Sequence, residues 1–112
     1  MRLWLDDVRK PWQHGRLGWD WAKTAEEAIS MLRTGKVCQA DLDHDLDWEH
    51  YPGSGVLPSQ CKLGTGFDVL VWMKNNNVWP IDGVTIHTQN PDPRIHGRML
   101  HLIHNHYGRL FQ

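Results

Sequence analysis

Cysteine is scarce in this chain of 112 residues: Cys38 and Cys61 are the two present, and they form no Cys-x-x-Cys pair. A disulfide framework and a thiolate zinc site are therefore excluded as the basis of the fold, and both residues read as reduced thiols. Long apolar runs are missing too. Nothing approaches the ~18 uninterrupted apolar residues of a membrane helix. Asp6 and Asp7 fall where a signal peptide needs its apolar centre, so the expected setting is cytoplasmic, with no membrane partner. Excess positive charge is also absent. Lys plus Arg number 12 against 13 for Asp plus Glu, a formal net charge of -1, which provides no field for unspecific DNA binding. Any phosphate-bearing ligand must be met by local groups. There is no internal repeat or low-complexity segment, and the length suits one domain, residues 1–112, with a modest core.

What the chain does contain is a series of short apolar runs that each stop at polar residues. Arg2 to Leu5 reads as a first buried strand ending at Asp6-Asp7. Residues 9–19 hold Pro11, Gly15 and Gly18 without apolar periodicity, which predicts a loop. Trp19 to Lys23 alternates and reads as a short strand, and Thr24 to Glu27 is a capping box opening a helix. Ala25, Ala28, Ile29 and Leu32 give that helix one buried stripe, with Gly35 placed to end it. Val37 to Leu42 is a third strand finishing in Asp43-His44-Asp45. Residues 47–66 form a long Gly/Pro-rich loop, and Phe67 to Lys74 is a helix opened by Thr65 or Gly66 and closed by Asn75 to Asn77. Gly83 to Ile86 is a fourth strand ending at His87, Thr88, Gln89 and Asn90. From Arg94 a last helix carries Ile95, Met99, Leu102 and Ile103 inward and histidines outward. Alternating strands and helices predict an α/β fold with a mostly parallel sheet of about four strands, and ligand sites in such sheets gather at the carboxyl ends of the strands.

Those ends carry the chemistry. The run Ala40 to Trp48 contains Asp41, Asp43, Asp45 and Asp47, and together with Asp6 and Asp7 it demands a counter-charge, because carboxylates a few ångströms apart repel strongly. A divalent cation answers that demand: oxygen ligands suit Mg²⁺ or Mn²⁺, and Mg²⁺ commonly shares a phosphate oxygen with its substrate. If the third strand continues, Asp41, Asp43 and Asp45 face one way and His44 the other, which makes Asp43 and Asp45 the first choices as ligands alongside Asp6 and Asp7. His87 is the natural general acid or base. Arg9 and Lys10 are candidate phosphate contacts. Asn90 can hold a substrate oxygen, orient His87 or cap the turn before Pro91. Thr65, Gly66 and Asp68 can offer backbone N–H groups to an anion or serve only as a helix cap. His101, His104 and His106 invite a zinc reading, but His101 and His104, with Arg98 and Asn105, fit the solvated side of a helix. Trp4, Trp21 and Trp72 read as core. Trp12, Trp19 and Trp48 lie near the acidic edge, either stacking on a base or packing beneath the long loop.

Taken in order, Leu5-Asp6-Asp7 with Arg9 and Pro11, Leu42-Asp43-His44-Asp45-Leu46, Thr65-Gly66 with Asp68, and His87 with Asn90-Pro91 resemble the cyclic-phosphate processing receiver-like family, a divergent branch of the response-regulator receiver fold. The resemblance spans nearly the whole chain. It implies a flavodoxin-like three-layer sandwich whose first helix is replaced by a loop and whose fifth strand and helix are missing or vestigial. It also implies Mg²⁺ on Asp6 and Asp7, with Asp43 in the position of a phosphoryl acceptor. Receivers end their fourth strand in Ser or Thr and supply a lysine from a fifth strand. Here His87 stands beside Thr88 and no such lysine follows, leaving Arg9, Lys10, Arg94 and Arg98 as the cations available to replace it. Asp41 and Asp47 are further departures that add negative charge. The function expected is a metal-dependent phosphoesterase of cyclic phosphodiesterase type, acting on a 2′,3′-cyclic RNA end or a small cyclic nucleotide. The alternative is a non-catalytic regulatory module that binds a nucleotide, a phosphoryl group or a protein partner.

Overall fold

The computed structural model describes residues 1–43, 65–87 and 93–109. Among these, four short strands run parallel: β1 (Arg2–Leu5), β2 (Asp20–Ala22), β3 (Gln39–Leu42) and β4 (Val84–Ile86), in the order β2-β1-β3-β4. Three helices complete the set, α1 (Ala25–Leu32), α2 (Gly66–Asn76) and α3 (Pro93–Arg109). The expected α/β receiver-like arrangement is present, and a loop replaces the helix between β1 and β2. That loop is not wholly irregular: Pro11–His14 makes one turn of 3-10 helix, begun by the fixed φ of Pro11 and closed by Gly15 at φ 75°.

Local chemistry fixes the helix ends. At α1 the Thr24 hydroxyl accepts from Glu27 N at 3.1 Å, and the Glu27 carboxylate accepts from Lys23 N at 2.9 Å, one residue further back than in the usual capping box. At α2 the box is complete, Thr65 Oγ1 accepting from Asp68 N at 3.1 Å and Asp68 Oδ2 from Thr65 N at 2.8 Å. Asn77 closes α2 in the left-handed region at φ 53°, where asparagine is better tolerated than most side chains. Pro93 opens α3, a position that needs no N–H donor.

Strand alternation divides the sheet into two different faces. Leu3, Leu5, Ala40, Leu42 and Val84 enter a single core with Leu32 of α1, Leu70 and Met73 of α2, and Met99 and Ile103 of α3. All three helices therefore share one side. Trp4 is 2% exposed yet stands outside that core. It belongs to the opposite face, level with Trp21 on β2 and Asp41 on β3, and the 6–19 loop covers it there: its indole Nε1 donates to Arg9 O at 2.8 Å and its ring stacks on His14 at 5.7 Å. The layer on this side is thus a loop with one 3-10 turn, and it can close over polar side chains that a packed helix would leave without partners.

Candidate functional site

Three residues take the first position beyond three neighbouring strands. Each donates its backbone N–H to the last carbonyl of the strand beside it: Asp6 to Ala22 O, Asp43 to Leu5 O and His87 to Leu42 O, all at 3.0 Å. The ladder is thereby extended by one rung, and the three side chains are fixed at one level of the sheet. One ligand atom from each of Asp6, Asp43 and His87 lies within 4.8 Å of the others. Asp6 and Asp43 are 1% and 2% exposed.

The side chains are tightly held. Asp6 Oδ1 accepts from Val8 N at 2.9 Å and Arg9 N at 2.8 Å, which turns the chain away from β1. Its Oδ2 meets His87 Nε2 at 3.1 Å and Arg9 NH1 at 3.3 Å. The same NH1 lies 3.7 Å from Asp43 Oδ2 and donates to His87 O at 3.4 Å. Arg9 is thus a cation that spans the two acids. His87 Nδ1 reaches Asp41 Oδ1 at 2.6 Å, and Arg16 Nε holds the other oxygen of Asp41 at 3.3 Å. Beneath the imidazole lies Trp4, parallel within 5° at a centroid distance of 3.9 Å.

Burial alone would discharge His87. The hydrogen bonds to Asp41 and Asp6, with the charges of Asp41 and Asp43, outweigh that effect and push its pKa from 6.5 up to about 9. At neutral pH the ring is an imidazolium, both nitrogens donating, so it is poised to give a proton and not to take one. For Asp6, burial favours the neutral acid, but the bond to His87, the N–H groups of Arg9 and Val8 and the Arg9 charge together hold its pKa below the usual carboxylate value. Asp6 stays ionised.

The structure places the expected site residues differently. Asp6, Asp43, His87 and Arg9 come together. Asp7 is half-buried beside them but is not one of the three residues whose ligand atoms converge. Lys10 is exposed, its Nζ 5.9 Å from the centre of the Trp12 ring. The Thr65 and Asp68 side chains are engaged in their own cap. Gly66 has a different role: a Cβ there would lie 2.0 Å from Asp43 O, so its bare backbone is what lets α2 approach the end of β3. Asp45 and Asn90 lie outside the described residues, as do His44, Asp47, Trp48 and Thr88. Asp41, Arg16 and Trp4 were not among the residues expected to act here, and they form the support around His87. An acid at an inward position of a buried strand was the available signal for Asp41.

A parallel sheet ordered 2-1-3-4, with acids ending its first and third strands, defines a receiver-like protein. Three chains of known structure match, among them the MaeR response regulator bound to beryllium trifluoride, at a TM-score of 0.50 and 18% identity over 91% of this chain and 79% of that one. That likeness shows the fold. Residues 1–105 match the cyclic-phosphate processing receiver domain, and the chain belongs to that family. No curated protein matches the sequence.

Proposed function

We propose that this domain is a metal-dependent phosphoesterase that opens a cyclic phosphate, either the 2′,3′-cyclic end of an RNA or a small cyclic nucleotide. The observation that carries the reading is the convergence of Asp6, Asp43 and His87 at one point of the sheet edge. Ring opening adds a water oxygen to phosphorus and breaks one ring P–O bond, and the departing oxygen needs a proton. The Nε2 proton now shared with Asp6 is the one available. Once it is transferred, and the attacking water has lost a proton to solvent, which in turn re-protonates His87, the products are a free hydroxyl and a phosphomonoester.

The donor set also fits a hard divalent cation. Asp6 and Asp43 offer carboxylate oxygens, and the Arg9 guanidinium between them supports the reading that a cation belongs there. Asp6 and Asp43 would hold Mg²⁺ or Mn²⁺, with Asp7 and Asp45 as the expected further ligands. When bound, the ion would polarise the phosphoryl oxygens and lower the pKa of water. Displaced from the acids, Arg9 would meet the phosphate. Asp43 stands where receivers carry their phosphoryl acceptor, so it has two candidate roles, cation ligand and attacking group. Hydroxylamine trapping of an acyl phosphate separates them.

The test is turnover of 2′,3′-cyclic nucleotides with Mg²⁺ or Mn²⁺ by the wild type, Asp43→Asn and His87→Ala. Turnover by the wild type that falls by about 10²-fold or more in both variants supports the reading. Nucleotide binding without turnover in any of the three would favour the regulatory module.

A further inference from the structure

Residues 10–23 frame the site, and apart from Arg16, which holds Asp41, and Trp21, which donates to Asp6 O, the structure leaves their side chains outside it. This stretch carries three cations, Lys10, Arg16 and Lys23, and one acid, Asp20, in a chain of net charge -1. It also carries three tryptophans, and each is paired with one of the cations: Lys10 Nζ is 5.9 Å from the Trp12 ring centre, Arg16 Cζ 5.1 Å from that of Trp19 and Lys23 Nζ 4.5 Å from that of Trp21. Each pair lies within the ~6 Å reach of a cation–π contact, so the segment gathers indoles and cations side by side. Trp12 packs edge-on against Trp21 at 5.8 Å and is still 53% exposed.

The surface is wired to the site. Trp21 Nε1 donates to Asp6 O at 2.6 Å, and Arg16 holds Asp41. Trp21 also lies directly beside Trp4 in the sheet register, and Trp4 carries the His87 ring. Alternating indole faces and cations are what sequence-tolerant binding of single-stranded nucleic acid requires, since every base has a face to stack and every nucleotide a phosphate to neutralise. A mononucleotide would not need such an extension.

We infer that residues 10–23 form a binding surface for single-stranded RNA, with Trp12 as the exposed stacking platform and Lys10 and Lys23 along the phosphates, so that the substrate is the cyclic phosphate end of an RNA strand. This rests on the catalytic reading above for the placement of the strand end, but the surface is tested without turnover. The probe is a fluorescein-labelled oligouridylate of about ten nucleotides ending in an ordinary 3′-hydroxyl, titrated with the full chain and read by anisotropy at several salt concentrations. Binding should weaken about tenfold in Trp12→Ala. Lys23→Gln should flatten the dependence of log affinity on log salt by about 0.7. Thermal unfolding of both variants reports whether the fold is intact. Absence of oligonucleotide binding at low salt overturns the inference, as does equal binding by folded Trp12→Ala and Lys23→Gln proteins. Binding to anionic vesicles and not to the oligonucleotide also overturns it. Turnover of a small cyclic nucleotide without oligonucleotide binding removes this inference alone, whereas oligonucleotide binding without any turnover removes the catalytic reading and leaves the surface in place.

Discussion

Replacing Asp41 by Asn removes one charge, changes the shape of the site very little, and strips His87 of its closest partner. Asp41 is 3% exposed and receives His87 Nδ1 at 2.6 Å and Arg16 Nε at 3.3 Å. An amide can accept from one of these donors and must turn its own N–H₂ toward the other. An opposite charge at this range shifts a pKa by about 1–3 units, so the His87 value should fall from about 9 toward the range of an ordinary imidazole. At about 1.4 kcal/mol per unit, the lost coupling is on the order of 2 kcal/mol at pH 6. The sign follows from linkage: the folded pKa of His87 is raised, so its contribution to stability is complete below about 6.5, fades as pH rises, and is lost above about 9. The stability gap between wild type and Asp41→Asn should therefore be widest near pH 6 and narrow by pH 10. Proton NMR titration of the His87 ring, assigned with His87→Gln, reads the pKa, and urea unfolding at the two pH values reads the gap. An unchanged His87 titration in Asp41→Asn, or a gap that does not narrow with pH, would refute the coupling.

Other expectations follow from the same contacts. Gly66→Ala puts a Cβ 2.0 Å from Asp43 O; it should cost about 1–3 kcal/mol in unfolding free energy and lower turnover, since the backbone of Asp43 must move. Thr65→Ala should cost about 1 kcal/mol through loss of the α2 cap, measured by denaturant unfolding. Arg9→Ala removes the cation that competes for Asp6 and Asp43, so calorimetry should show Mn²⁺ binding about fivefold tighter or better, corresponding to about 1 kcal/mol for a released ion pair; weaker binding would contradict the view of Arg9 as a stand-in for the ion. The Asp6 pKa is lowered in the fold. Its share of the stability is therefore present above the unfolded value and disappears as pH falls through the folded one, so the stability gap between wild type and Asp6→Asn, read by urea unfolding, should be widest near neutral pH and narrow in acid.

Much of the architecture was legible because short-range chemistry decided it. Thr24 and Thr65 announced their helices, Asn77 ended one, and β1, β3 and β4 each stop at a polar residue that the structure places at the edge of the sheet. The pairing of sites along that edge was also legible, since β1 and β3 are neighbours in the fold that alternating strands and helices imply. The surroundings of His87 were not. Asp41 and His87 are separated by 46 residues and meet only because Asp41 stands beside Thr85 in the register of β3 with β4, and register is a property of the assembled sheet. Trp4 reads as core from its place in an apolar strand, yet it faces the imidazoles of His87 and His14; alternation shows that Trp4 and Leu5 point apart but not which of them meets the helices. The counter-charge for the acids was expected from a metal, and Arg9 already supplies part of it through a turn that brings its side chain back over Asp6.

The central claim is that the ends of β1, β3 and β4 form one site for a divalent cation and a cyclic phosphate. Its most direct test is a crystal structure of the protein soaked with Mn²⁺ and a slowly hydrolysed 2′,3′-cyclic thiophosphate nucleotide, with the metal located by anomalous scattering. The expected result is a manganese peak on Asp6 and Asp43, Arg9 moved from between them onto the phosphate, and the ring within hydrogen-bonding reach of His87. A nucleotide bound away from these residues, or Arg9 still bridging Asp6 and Asp43 with no manganese peak, would contradict it.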